Sequence, residues 1–203
     1  MSTFQQSLFF YIIIIFSAIV HEYAHGWMAY QQGDPTAKYA GRLTLNPFAH
    51  MDFLGTVFLP ILLLLTTRVF FAYAKPVPIN PNNFRNQRRG LILVSFAGPA
   101  SNLIIALILG MIVRFSLPMA MTPFLAEIVL INIWLFVFNL IPVPPLDGSK
   151  LLFGLTSGGA GLEFLRGNGS WIGIVAALAI AFYLMPYITG FIFQLIVGKG
   201  IVF

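Results

Sequence analysis

Residues 8 to 20, Leu-Phe-Phe-Tyr-Ile-Ile-Ile-Ile-Phe-Ser-Ala-Ile-Val, hold no charged side chain, and they run directly into His21-Glu22-Tyr23-Ala24-His25. The apolar segment, continued to about Tyr30, is long enough to cross a bilayer. Two imidazoles and a carboxylate are expensive in hydrocarbon, so a chain that places them there must fold to shelter a function. The spacing narrows which one. On a helix, residues i and i+4 lie about 40° apart around the axis and one turn along it, so both imidazoles can reach one metal ion. Glu22 stands beside them, where it can take a proton from a water at that metal. With three His and three Glu in 203 residues, chance would produce H-E-x-x-H in on the order of one such chain in a thousand. The bland alternative, a pair of helix histidines bonded to neighbours, loses its usual solvated face inside lipid.

Composition agrees with the membrane reading. Hydrophobic residues make up 59% of the chain and charged residues 8%, with a mean hydropathy of +0.89, whereas soluble domains carry about a quarter charged residues. No linker separates a second globular domain, so residues 1–203 read as one membrane-embedded domain. The net charge of +5 and pI near 9.8 do not point to nucleic acid, because the basic residues are dispersed among apolar segments and fit the positive-inside rule instead. Cysteine is absent, which excludes thiolate catalysis, disulfides and cysteine-zinc sites. The apolar N-terminus lacks a basic leader and is not expected to be a cleavable signal peptide.

Along the chain, Leu8–Tyr30, Phe53–Ala74, Leu91–Leu117, Phe124–Leu146 and Trp171–Val197 are apolar, the last with a helix kink expected at Pro186. Gly33-Asp34-Pro35 reads as a turn, and the alternation from Ala37 to Leu45 predicts a short β-hairpin at the membrane surface. The expected fold is an all-α polytopic bundle of about four to six transmembrane helices. If every segment spans, the basic residues divide seven to four between the two sides. If Phe53–Ala74 dips in and returns, helped by Gly55 and Pro60, nine of the eleven share one side and only Arg114 and Lys199 lie opposite. The second, re-entrant arrangement has the stronger bias and puts the N-terminus outside.

A catalytic zinc takes three protein ligands and keeps one open position. The carboxylates outside the motif are Asp34, Asp52, Glu127, Asp147 and Glu163. Asp147 differs from the others: it ends a long apolar segment just after Pro142, Pro144 and Pro145, which block regular helix. Unwound backbone at membrane depth needs partners, and a metal site with an extended substrate would supply them. The prolines are therefore expected to leave an extended edge on which a substrate pairs as a strand.

H-E-x-x-H in a first core segment, Gly98-Pro99-Ala100-Ser101-Asn102 in a second, and Asn139-Leu140-Ile141-Pro142-Val143-Pro144-Pro145-Leu146-Asp147-Gly148 in a third resemble the site-2 protease family of intramembrane zinc metalloproteases. Gly41-Arg42-Leu43-Thr44-Leu45-Asn46-Pro47 through His50, Ala74-Lys75-Pro76-Val77-Pro78, and Asn83-Phe84-Arg85-Asn86 followed by Arg88-Arg89-Gly90 extend the likeness to the short bacterial and archaeal members. The resemblance implies one Zn2+ per chain bound by His21, His25 and Asp147, with Glu22 as general base. It implies cleavage within the transmembrane segment of another protein, in the plasma membrane of a prokaryotic cell. Asn139 matches the family asparagine thought to hold substrate or the oxyanion, and Asn102 matches one that braces the site or bonds the substrate. The chain departs from the family by showing no PDZ or nucleotide-sensing domain, so substrate screening falls to the membrane domain or a regulatory membrane partner. Ser149 stands where a second glycine is common, and Phe53–Ala74 has no counterpart in the most compact members.

Smaller signals have plainer readings. His50 is an interfacial histidine on the plain reading, or else an accessory ligand or a substrate contact. Gly98 and Ser101 suit close helix packing, and Trp27, Trp134 and Trp171 suit interfaces or packing. The rival to a protease is a non-proteolytic membrane zinc-binding protein or transporter, which also places His and Asp in spans but has no need of a glutamate directly after the first ligand.

Overall fold

The computed structural model describes residues 3–52, 56, 58, 75–115, 120–156, 175 and 179–198. They fall into two compact units, Met1–Arg85 and Asn86–Phe203. The described residues are mostly helical and contain no strand. Three of their helices are long and apolar enough to cross a membrane, at Gln5–Gln31, Gln87–Phe115 and Thr122–Asn139. The expected re-entrant segment lies almost wholly outside the described residues.

In the first unit, α1 (Thr3–Gln31) runs 29 residues, about 43 Å. Its faces are inverted relative to a helix in water. Leu8, Ile12 and Phe16 are exposed, while Ser17, His21 and His25, spaced by four, are buried. Apolar residues outside and ionisable ones inside are what a lipid solvent selects. Gly33, at φ +107, turns the chain after α1, and a side chain there would meet the carbonyl of Asn83 at 3.1 Å.

The expected hairpin over 37–45 is not formed: Thr36–Tyr39 is a helical turn, α2. The cause is Asp34. Its carboxylate accepts the Thr36 N–H at 3.1 Å and the Thr36 hydroxyl, and Pro35 presets the bend. The backbone then closes from Tyr39 to Pro35 and from Ala40 to Thr36, each at 3.0 Å. The alternating pattern instead reflects Ala37 buried and Tyr39 exposed on a single turn. A second turn, α3 (Pro47–His50), is capped by the Asn46 carboxamide, which accepts the Phe48 N–H.

Asp34 also reaches across sequence. It is fully buried and accepts hydrogen bonds from the Asn80 N–H at 2.7 Å and the Asn83 amide at 2.8 Å. The Arg85 N–H meets the Gln32 carbonyl at 2.8 Å. Residues 80–85 are thereby fastened to the end of α1.

In the second unit, α4 (Gln87–Phe115) and α5 (Thr122–Asn139) pack with the shorter α6 (Asp147–Leu155) and α7 (Met185–Val197). Ala106, Val113, Ala126, Val129, Ile133, Phe193, Ile196 and Val197 form the core. Each end of α4 fastens another helix by the same device, a glycine notch and an arginine cap. At one end the Cβ of an alanine at 154 would stand 2.5 Å from Ile92, and Arg88 donates to the carbonyls of Gly154 (2.8 Å) and Leu155 (2.9 Å) at the C-terminus of α6. At the other, Gly110 lies under Ile196, and Arg114 donates to the Leu195 carbonyl at 2.9 Å. A cation at a helix C-terminus satisfies orphan carbonyls and opposes the helix dipole. Pro186 stands in the first turn of α7, after a break at Leu184.

Candidate metal centre

His21 and His25 project from one face of α1, both less than 8% exposed. Their rings meet edge to face, with centroids 4.6 Å apart, and their Nε2 atoms lie 3.0 Å from one another. Two nitrogens bound to one tetrahedral zinc would stand about 3.3 Å apart. The pair therefore presents two imidazole donors at nearly chelating separation, and the residues fit the metal that the motif implies. Glu22, half-buried, directs Oε2 to the main-chain N–H of Val77 at 2.7 Å.

Asp147 opens α6 in the second unit and is buried, with Lys150 on its Oδ1 at 3.0 Å. The residue after it must be glycine on steric grounds. A Cβ at position 148 would lie 2.2 Å from the Leu140 carbonyl oxygen and 2.5 Å from that of Ile141. Ser149 is buried, and its hydroxyl donates to the Leu146 carbonyl at 2.7 Å.

The segment between α5 and α6 is not the extended edge expected for strand pairing. It is a run of turns in which Leu140, Ile141, Val143 and Leu146 each donate to a carbonyl two or three residues back. The three prolines have no N–H. Every main-chain donor from 140 to 146 is thus absent or committed locally, and a two-way β ladder cannot form there. Prolines removed the helix, and the remaining donors closed turns. Beside this run is a cavity of about 300 Å³ lined by Leu91, Pro144, Pro145, Ser149, Lys150 and Phe153.

Asn102 is wholly buried and donates to the Asn132 carboxamide oxygen at 2.9 Å. Asn132 in turn donates to the Ile128 carbonyl. This cross-brace between α4 and α5 accounts for Asn102, and nothing in the sequence singled out Asn132. Asn139 ends α5 and donates one amide proton back to the Leu135 carbonyl at 2.9 Å, while the carboxamide carries a second. His50 is buried, and its Nε2 meets the Thr44 carbonyl at 2.8 Å, closing its own loop. Sequence reasoning also passed over Val77, Lys150 and the hub at Asp34. For Asp34, Asp-Pro-Thr is a turn signal, but its partners at 80 and 83 are remote. Burial pushes the Asp34 carboxyl upward, yet the hydrogen bonds from Thr36, Asn83 and Asn80 outweigh it and hold its pKa below the usual carboxylate value.

The model of peptidase family M50 matches residues 9–119 and 115–184. The chain belongs to peptidase family M50, the site-2 protease family. Among curated relatives, YwhC of Bacillus subtilis (strain 168), provisionally named a zinc metalloprotease, is 41% identical over 151 residues, covering 70% of this chain and 66% of YwhC. Rip2 of Mycolicibacterium smegmatis, with the same provisional description, is 29% identical over 137 residues, 66% of this chain and 52% of Rip2. The Rip2 of Mycobacterium tuberculosis is likewise 29% identical, over 139 residues. The matches thus span just under two thirds of YwhC and about half of the Rip2 proteins. No solved structure matches the chain.

Proposed function

We propose that this M50 chain is an intramembrane zinc endopeptidase, one membrane-embedded domain over residues 1–203, which cuts peptide bonds within or near transmembrane segments of other proteins. The observation that carries the reading is the convergence of the His21 and His25 nitrogens to 3.0 Å on a membrane-capable helix, with Glu22 between them. The family match runs through both compact units, which supports treating them as one catalytic domain.

In this scheme His21, His25 and Asp147 hold one zinc per chain, a donor set of the catalytic type. Zinc, when bound, supplies Lewis-acid activation of water and of the scissile carbonyl. Glu22 accepts the proton of the attacking water and returns it to the leaving amine. Asn139, with its second amide proton, is the oxyanion donor in this scheme, and Asn102 braces α4 against α5 through Asn132. A transmembrane helix resists attack because its carbonyls are already hydrogen-bonded, so the substrate unwinds locally before it is cut. The enzyme is placed in the plasma membrane of a prokaryotic cell, with a membrane partner to govern access.

The test separates binding from chemistry. His21→Ala, His25→Ala and Asp147→Ala each lower zinc content of the purified protein, whereas Glu22→Gln retains zinc and loses cleavage of a co-expressed transmembrane reporter. Near wild-type turnover in Glu22→Gln sinks the general-base role. Zinc flux into vesicles without any cleavage would favour the transporter instead.

A further inference from the structure

We propose that the main-chain N–H of Val77, seated in the notch of Gly26, is the donor that positions Glu22 for proton transfer. The proposal rests on Glu22 being the general base.

Glu22 and Gly26 are one helical turn apart on the same face of α1. Val77 engages both. Its N–H meets Glu22 Oε2 at 2.7 Å, and its side chain, buried, lies against Gly26, where a Cβ would come within 3.0 Å of Val77 Cγ1 and 3.2 Å of the Ala37 Cβ. The glycine is what lets the strap approach the helix closely enough for a short bond.

The strap is fastened on either side of that contact. The Lys75 N–H donates to the His50 carbonyl at 2.9 Å, and the Asn80 N–H donates to Asp34 at 2.7 Å. Between them the sequence is Pro76-Val77-Pro78. Proline has no N–H, so a slip of one residue in either direction would face Glu22 with a nitrogen that cannot donate. Register and donor identity are therefore set together. A glutamate has several rotatable bonds and loses substantial rotamer freedom when ordered. A charge-assisted bond to one oxygen holds the carboxylate in place and leaves Oε1 for the proton in transit. Misplacing a catalytic group by about 1 Å lowers a rate on the order of 100-fold.

The experiment uses the full zinc-loaded chain with a transmembrane reporter, and reads kcat, KM and zinc content. Val77→Pro removes the donor and lowers kcat roughly 10- to 100-fold at unchanged KM and zinc. Gly26→Ala lifts the strap and lowers kcat in the same way. Adding Val77→Ala to Gly26→Ala removes Cγ1, the nearer of the two obstacles to the new Cβ and the one on residues 75–80, while keeping the N–H, and restores part of the lost kcat. A Val77→Pro chain with wild-type kcat, or a double variant no better than Gly26→Ala, overturns the proposal. A readout independent of cleavage is the amide proton of Val77 in valine-labelled protein, which moves upfield in Glu22→Ala. No difference overturns the bond itself. An upfield move with no cleavage by the wild-type chain supports the bond and overturns the protease reading instead.

Discussion

Gly148→Ala tests whether the turn before α6 governs Asp147, the proposed ligand at its head. The new Cβ would stand 2.2 Å from one backbone carbonyl oxygen and 2.5 Å from the next. A carbon and a carbonyl oxygen rest at about 3.3 Å, so something must move by roughly 1 Å. No flexible side chain is available to yield, because both obstacles are backbone. Leu140 and Ile141 are bonded to Val137 and Phe138, in the last turn of α5, and α6 is clamped at its far end by Arg88. The displacement therefore falls on the first turn of α6, where Asp147 is. Metal–ligand distances tolerate about 0.2 Å, so with the proposed ligand set a shift of this size would take Asp147 off the metal. Zinc affinity, measured by competition with a chelator of known strength, should fall about 10- to 100-fold, and overpacking should lower stability by about 1–3 kcal/mol. Gly190→Ala is the control, since its Cβ meets nothing within 4 Å on the helix α7. It should leave zinc affinity unchanged. A Gly148→Ala chain with wild-type zinc affinity and cleavage refutes the coupling of this turn to the site.

Three further outcomes are expected. Asp34→Ala removes the buried acceptor shared by donors on residues 36, 80 and 83 and should lower stability by about 1–3 kcal/mol, seen as a fall in Tm; because the folded pKa of Asp34 lies below its unfolded value, its contribution is complete above about pH 5 and is lost as pH falls through the folded value, below about 4, so acid should destabilise Asp34→Asn less steeply than the wild type. Arg88→Gln removes the cap on α6 and should weaken zinc binding several-fold, with Arg88→Lys intermediate because it lacks the planar fork. Single cysteines at Asn82 and Ser157 should both label from the cytoplasmic side if Phe53–Ala74 re-enters, whereas labelling of Asn82 only from outside means that it spans.

The residues expected to do chemistry were legible because a membrane makes them conspicuous. His21, Glu22, His25 and Asp147 are ionisable groups in or beside apolar segments, and few folds tolerate them without a use. Asn102 was singled out by the resemblance, and nothing marked Asn132 as its partner. The long helices were also legible, since nothing but a helix satisfies its own backbone in lipid. The hairpin was misread because alternation over nine residues cannot distinguish a strand from a turn whose buried residue is Ala37 and whose exposed one is Tyr39. What decided between them was the side chain of Asp34, acting two residues along. The positioning contacts were not legible at all. Val77 holds Glu22 through a main-chain N–H, and a main-chain donor is the same in every residue but proline.

The tripeptide Pro-Val-Pro occurs twice, at 76–78 and at 142–144, and it shows where local reasoning stops. In both copies the prolines strip the flanking donors, so each valine has the one N–H of its tripeptide. Up to this point sequence is sufficient. The N–H of Val77 leaves its own segment and reaches Glu22, 55 residues earlier. The N–H of Val143 turns inward to the Ile141 carbonyl at 2.8 Å. The difference lies in what surrounds each copy. The first is stretched between anchors at His50 and Asp34 and cannot fold back on itself. The second leaves the end of α5 and must reverse within a few residues to start α6 against Leu140 and Ile141, which Gly148 alone permits. Proline content therefore sets how many donors a segment can offer, and the tension between its anchors sets whether those donors serve the segment or the site.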